Sequence, residues 1–164
     1  MTLFKNKKLL VLVAFVLVAV LFRLVPHIPN VTPITAMALF SGVYFTNKNY
    51  AFIIPLSAMF LSDLFLGFSS ISFFVYLAFI LVGFIGVRSK KMSIKTILIS
   101  SISFFIITNF GVWLLAYPKT IDGLLACYTL AIPFFRNALI GDLFFSAVMY
   151  YSFAFVSKNY LKTV

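Results

Sequence analysis

The stretch Ile132-Pro133-Phe134-Phe135-Arg136-Asn137-Ala138-Leu139-Ile140-Gly141-Asp142 sets an arginine, an amide and a carboxylate at the mouth of an otherwise apolar run. Ionisable groups inside a membrane are costly unless they are paired, hydrated or used, so these polar residues are expected to face inward. Proline is favoured in the first turn of a helix. A helix that begins at Pro133 puts Asp142 below Arg136 by roughly 9 Å at ~1.5 Å per residue, well inside the apolar run.

The rest of the chain agrees with a bilayer setting. Of 164 residues, 63% are hydrophobic, 19% aromatic and 10% charged, against about 25% charged in a soluble domain. The length suits a single transmembrane domain over residues 1–164. The formal net charge of +10 does not point to nucleic acid, because the Lys and Arg residues fall between apolar runs and at the termini instead of forming one basic face. The single cysteine, Cys127, excludes an intrachain disulfide. Lys5, Lys7 and Lys8 followed by the apolar run from Leu9 to Phe22 have the outline of a secretory signal. Leu24 and Val25 extend that run beyond Arg23, with no small-residue cleavage site at the right distance, so it reads as a retained first span.

Apolar runs at residues 9–25, 34–46, 51–66, 71–87, 94–116 and 132–156 predict an all-α integral membrane bundle of six transmembrane helices. The second and third runs are short and are joined by Thr46-Asn47-Lys48-Asn49-Tyr50, a tight turn between antiparallel helices or the tip of a re-entrant pair. With both termini cytoplasmic, the inner segments carry Lys5, Lys7, Lys8, Lys48, Arg88, Lys90, Lys91, Lys95, Lys158 and Lys162. Only Arg23, Lys119 and Arg136 are left for the outer side. This asymmetry follows the positive-inside rule and agrees with both termini on the cytoplasmic side of a membrane. Asp63, Asp122, Asp142 and the only histidine, His27, all fall in the outer half, so a site is expected there. Ala38 with Gly42, Ala58 with Ser62 and Gly67, and Gly83 with Gly86 supply small residues for close helix packing. Ser100, Ser101 and Ser103 can bond their own helix or a neighbour.

Three prolines stiffen the first outer loop, Pro26-His27-Ile28-Pro29-Asn30-Val31-Thr32-Pro33, making it a rigid connector or a gate across the bundle. Asn109, Trp113 and Tyr117 recur every fourth residue along one helix face. They suit a flat ligand that stacks and hydrogen-bonds, or an interfacial aromatic belt. Asp63, Asp142, Arg23 and Arg136 can form either a structural ion-pair network or the polar lining of a site. One His and one Cys cannot complete a four-ligand zinc site. No phosphate-binding glycine loop or nucleophile elbow is present. The chain therefore reads as a non-enzyme without cofactor or metal.

Several phrases carry a resemblance over nearly the whole chain. They are Pro29-Asn30-Val31-Thr32-Pro33-Ile34, Ala38-Leu39-Phe40-Ser41-Gly42, Leu61-Ser62-Asp63-Leu64, Thr108-Asn109-Phe110-Gly111-Val112-Trp113, and Tyr128 through Arg136-Asn137 to Gly141-Asp142. They resemble an uncharacterised bacterial family of transport type, itself similar to the substrate-binding S components of energy-coupling-factor vitamin transporters. The resemblance implies uptake of a vitamin or cofactor precursor through an outward-facing site, with any ATP hydrolysed by partner subunits. S components often carry small residues spaced by three in the first span, whereas here Ala14 and Ala19 are five apart.

The expected polar lining is Arg23, Asp63, Asn109, Trp113, Arg136, Asn137 and Asp142, with His27, Asn30 and Tyr117 at the mouth. The rival readings are a six-helix membrane scaffold of the rod-shape-determining MreD type and an ion-coupled carrier that titrates Asp63 or Asp142.

Overall fold

The computed structural model describes residues 14–25 and 28–160. Among them are six helices and no strand: α1 (Ala14–Leu24), α2 (Ile34–Tyr44), α3 (Tyr50–Leu66), α4 (Ser72–Arg88), α5 (Ile94–Ala116) and α6 (Ile121–Tyr160). Two of these, α5 and α6, are long and apolar enough to cross a membrane. Lys5, Lys7, Lys8, Lys162, Pro26, His27 and the start of the expected first span lie outside the described residues.

The architecture is a ring of helices around α2. Nine of the eleven residues of α2 are buried, from Ile34 through Gly42. Helices α3, α4 and α6 pack directly on it. Val16, Ala19 and Val20 of α1 share a cluster with Ile34 and Met37 of α2 and Ile54 and Ala58 of α3. The Phe22 ring meets Phe145 of α6 edge-on at 5.1 Å, which closes the ring between α1 and α6. The expected second span, residues 34–46, is therefore a short internal helix, covering only ~16 Å at ~1.5 Å per residue. It runs between other helices instead of facing outward.

Backbone approach explains why α2 lies so close to α4. A Cβ on Gly42 would stand 2.6 Å from the Gly86 carbonyl carbon, and one on Gly86 would stand 3.2 Å from Leu39 Cα. The two glycines thus form the crossing point, as the small-residue pattern predicts. Pro55 inside α3 cannot donate to the Ala51 carbonyl. That oxygen lies 2.9 Å from where a Cβ on Gly83 would sit, so the proline's gap in α3 is packed against a glycine of α4.

Helix ends are set by local chemistry. Ser93 caps α5 by accepting from the Thr96 amide. The α2 carbonyls of Gly42 and Val43 accept from Lys48 Nζ at 2.8 and 3.3 Å, so the lysine of the tight turn satisfies a helix C-terminus. Helix α6 departs from expectation: it starts at Ile121, and Pro133 lies inside it. Thr120 is its cap, its hydroxyl accepting from the Gly123 amide at 3.1 Å and its carbonyl from Leu124 at 3.0 Å. The cap marks the start of the helix, which continues through Pro133 with the loss of its backbone bond to the Thr129 carbonyl four residues earlier.

The outward faces of the ring are apolar. Phe65, Phe73, Ile94, Tyr151 and Phe155 are each more than 60% exposed, and many other large hydrophobic side chains share that surface. Several polar and charged side chains are buried, Asp63, Asp142, Ser62 and Ser101 among them.

Candidate functional site

The C-terminal ends of α1, α3 and α5 and the start of α6 meet at one end of the bundle. A cavity of about 550 Å³ opens among them and runs inward. Asn30 and Tyr117 line it beside the connecting segments, Arg23 and Asp63 line it at the helix ends, and Asp142 lines it at depth.

The upper ion pair fixes the rim. Arg23 Nη1 stands 2.7 Å from Asp63 Oδ1 and also donates to the Met59 carbonyl at 3.2 Å and to the Ser62 hydroxyl. Asp63 is 3% exposed, and its other oxygen accepts from the Tyr76 hydroxyl at 3.0 Å. One carboxylate thereby ties α1, α3 and α4 together. Arg23, committed to Asp63 and two further acceptors, has its guanidinium held in place.

The deep carboxylate is held differently. Asp142, 5% exposed, accepts the Ser101 hydroxyl from α5 at 2.6 Å, and the Thr35 hydroxyl of α2 also bonds it. No Lys or Arg side chain pairs with it among the described residues. The sequence offers Arg136 as a neighbour six residues away, but that step turns a helix by about 600°, leaving the two residues some 120° apart. Arg136 is exposed, Asn137 is half-buried, and neither lines the cavity. The inward face of α6 is instead Cys127, Ala131, Phe135, Ala138 and Asp142, residues spaced by three and four, with the half-exposed Phe134 at the cavity edge.

On α5 the predicted face is divided. Asn109 lines the cavity while returning its amide N–H to the Phe105 carbonyl at 2.8 Å. Tyr117 lines it from the extended residue after the helix. Trp113 does not line it: the indole donates to the Pro118 carbonyl at 3.0 Å, and Lys119 Nζ lies 5.9 Å from its ring centroid. Lys119 also donates to the Trp113 and Tyr117 carbonyls at 3.0 and 2.8 Å, so this group closes the turn from α5 into α6. The cavity face of α5 is Ser101, Phe104, Phe105, Thr108, Asn109 and Val112, which keeps Asn109 of the predicted row and leaves out Trp113.

Asn30 has a left-handed backbone, φ 65°, a conformation that asparagine adopts more readily than most residues. The loop then rests on α6, where a Cβ on Gly141 would be 3.2 Å from Val31 Cα. Asn30 and Thr32 face the cavity from this loop. His27 lies outside the described residues.

Cys127 is buried and donates to the Asn109 carbonyl at 3.5 Å, one of the contacts that join α6 to α5. Thr32, Thr35, Ser69, Ser72, Ser101 and Thr108 line the cavity without being expected in a site, and Tyr76 supports it through Asp63. Only Ser101 had a signal, as part of the serine cluster on the fifth span.

The cavity walls are mainly aromatic. Phe105 and Phe135 face each other at 4.6 Å and Phe79 and Phe104 at 4.8 Å, all four lining it. No three His, Cys, Asp or Glu side chains stand together to hold a metal among the described residues. The result is an apolar, aromatic pocket with a neutralised ion pair near its opening and a single carboxylate at depth.

No curated protein and no solved structure matches the chain. A family of unknown function, DUF6580, matches residues 4–163, and the chain belongs to that family.

Proposed function

We propose that this chain is a six-helix integral membrane protein that binds a small organic molecule for uptake, acting as the substrate-binding component of a transporter for a vitamin or cofactor precursor. The observation that carries this reading is the cavity of about 550 Å³ that reaches from one end of the bundle to the buried Asp142. Its size lies within the range of ligand pockets, and its lining is the usual one, apolar walls with a few convergent polar groups. A scaffold needs no such opening, because ion pairs that only pin helices are packed shut.

Orientation supports uptake. Lys48, Arg88, Lys90, Lys91 and Lys95 lie at the opposite end from the cavity, together with the turns between α2 and α3 and between α4 and α5. The positive-inside rule puts that end in the cytoplasm, and the cavity then opens outward. The apolar outer faces of the ring helices suit contact with lipid. In this setting α2 is a helix enclosed by the others, and the loop of Asn30 to Pro33 resting on Gly141 is the candidate gate. The chain carries no nucleotide-binding motif, so energy would come from a partner, such as a membrane coupling subunit with ATPases.

The test is native mass spectrometry of the gently purified protein. A retained small molecule is expected in the wild type, with occupancy lowered by Asp142→Asn and Asn109→Ala. An empty wild-type protein that arrives with cell-envelope proteins attached would replace this reading with a membrane scaffold.

A further inference from the structure

We infer that the ligand of this cavity is a compact organic cation with a flat apolar body, its charge received by Asp142 and its body by the phenylalanine walls. The inference rests on the small-molecule site proposed above and names the chemical class that the site selects.

Charge accounting leads to it. Among the described residues, three carboxylate or guanidinium groups line the cavity, Arg23, Asp63 and Asp142. Arg23 and Asp63 neutralise each other at 2.7 Å. Asp142 has hydroxyl partners only, Ser101 at 2.6 Å and Thr35, with no cationic side chain paired to it among the described residues. Two hydroxyl donors orient a carboxylate without cancelling its charge, and a buried charge lacking a counter-ion is costly. A bound cation supplies the counter-charge that no described side chain provides. An anionic ligand would meet the same carboxylate as a like charge.

The walls decide which kind of cation. A hard metal ion such as calcium takes about six to eight oxygen ligands, and the Asp142 side offers a carboxylate and two hydroxyls. Phe79, Phe104, Phe105 and Phe135 line the same cavity, and aromatic rings favour a cation that is weakly hydrated and carried on an apolar frame. The cavity is far larger than a metal ion and matches a ligand of vitamin size.

The experiment is isothermal titration calorimetry on the full chain in detergent, in potassium phosphate to avoid organic buffer cations. Three matched probes are used: phenethylamine, 2-phenylethanol and phenylacetate. The wild type is expected to bind the amine at least about tenfold more tightly than the alcohol, a difference of roughly 1.4 kcal/mol, and the carboxylate weakest. Asp142→Asn should remove the preference and Asp142→Glu should retain part of it. If Asp142→Asn does not fold, the order of the three probes on the wild type still decides the question. Equal affinity, or preference for the alcohol or carboxylate, overturns the cation assignment and leaves the small-molecule site standing. No heat from any probe up to millimolar concentration overturns the cation assignment and counts against the site as well.

Discussion

Arg23 Nη1 lies 2.7 Å from Asp63 Oδ1, and this contact ties the end of α1 to the end of α3 beside the cavity opening. Asp63 is buried and Arg23 is one-fifth exposed. Removing the arginine strands a buried carboxylate with Tyr76 as its one remaining side-chain donor among the described residues. Loss of one partner of a buried pair costs about 3–5 kcal/mol, and the partial exposure of Arg23 places this case toward the lower figure. Thermal unfolding in detergent should show Arg23→Ala less stable than the double variant Arg23→Ala, Asp63→Ala. A double variant less stable than the single would mean that packing of the arginine stem, not charge, holds α1 in place.

Two neighbouring serines should respond in opposite directions. Ser101 donates to Asp142, whereas the Ser100 hydroxyl is fully buried without a partner among the described residues. Leaving a buried acceptor with one donor fewer costs about 1–3 kcal/mol, so Ser101→Ala should lower the unfolding temperature. Ser100→Ala removes an unsatisfied group and should leave stability unchanged or raise it. Equal destabilisation by both would show that Ser100 has a partner in solution.

The crossing of α2 and α4 gives a ranked prediction. Added at Gly42, a methyl group meets the Gly86 backbone at 2.6 Å, where no flexible side chain can move aside; added at Gly86, it meets Leu39 at 3.2 Å. Overpacking of this kind costs about 1–3 kcal/mol or more. Gly42→Ala should be the more damaging substitution, read as the drop in unfolding temperature. The reverse order would place the closest approach elsewhere along α2.

Helix α5 was legible from the sequence because its signals are local. Ser93 stands before the apolar run as a cap, and Pro118 follows it, so the run at residues 94–116 and the helix coincide. The start of α6 was misread for an equally local reason. Pro133 looks like a first-turn proline, yet Thr120 with Asp122 in the first turn is the stronger start signal. Charge alone groups Arg23, Arg136, Asp63 and Asp142, and of these only Arg23 and Asp63 pair among the described residues. The partner of Asp142 was not legible, since Ser101 is 41 residues distant and meets it only after α5 packs on α6. Arg136 is nearer in sequence but points elsewhere because helical rotation separates residues six apart. Trp113 was drawn toward the site by its spacing from Asn109, and the turn at Pro118 and Lys119 accounts for its position instead.

The Thr120 cap makes the length of α6 testable. Its hydroxyl accepts from the Gly123 amide, and replacing such a cap by alanine costs about 0.5–2 kcal/mol. Thr120→Ala should speed hydrogen exchange in residues 121–126 more than anywhere else in α6. Exchange that is already fast there in the wild type would move the effective start of the helix back toward Pro133.

The position of the ligand can be separated from its chemistry by comparing two adjacent turns of α6. Ala138 lines the cavity one turn above Asp142, whereas Arg136 is exposed on another face of the same helix. Ala138→Phe projects a ring into the cavity without touching the carboxylate, and the cavity is roomy enough for the ring to be accepted with little strain on the fold. Arg136→Ala removes a charge while leaving the cavity walls untouched. If the ligand lies against Asp142, Ala138→Phe should abolish phenethylamine binding with the unfolding temperature nearly unchanged, and Arg136→Ala should bind as the wild type does. Loss of binding in Arg136→Ala with retention in Ala138→Phe would put the ligand on the outer face of α6. In that arrangement the aromatic cavity would be a packing feature, and the charge of Asp142 would have to be balanced by something other than a bound molecule.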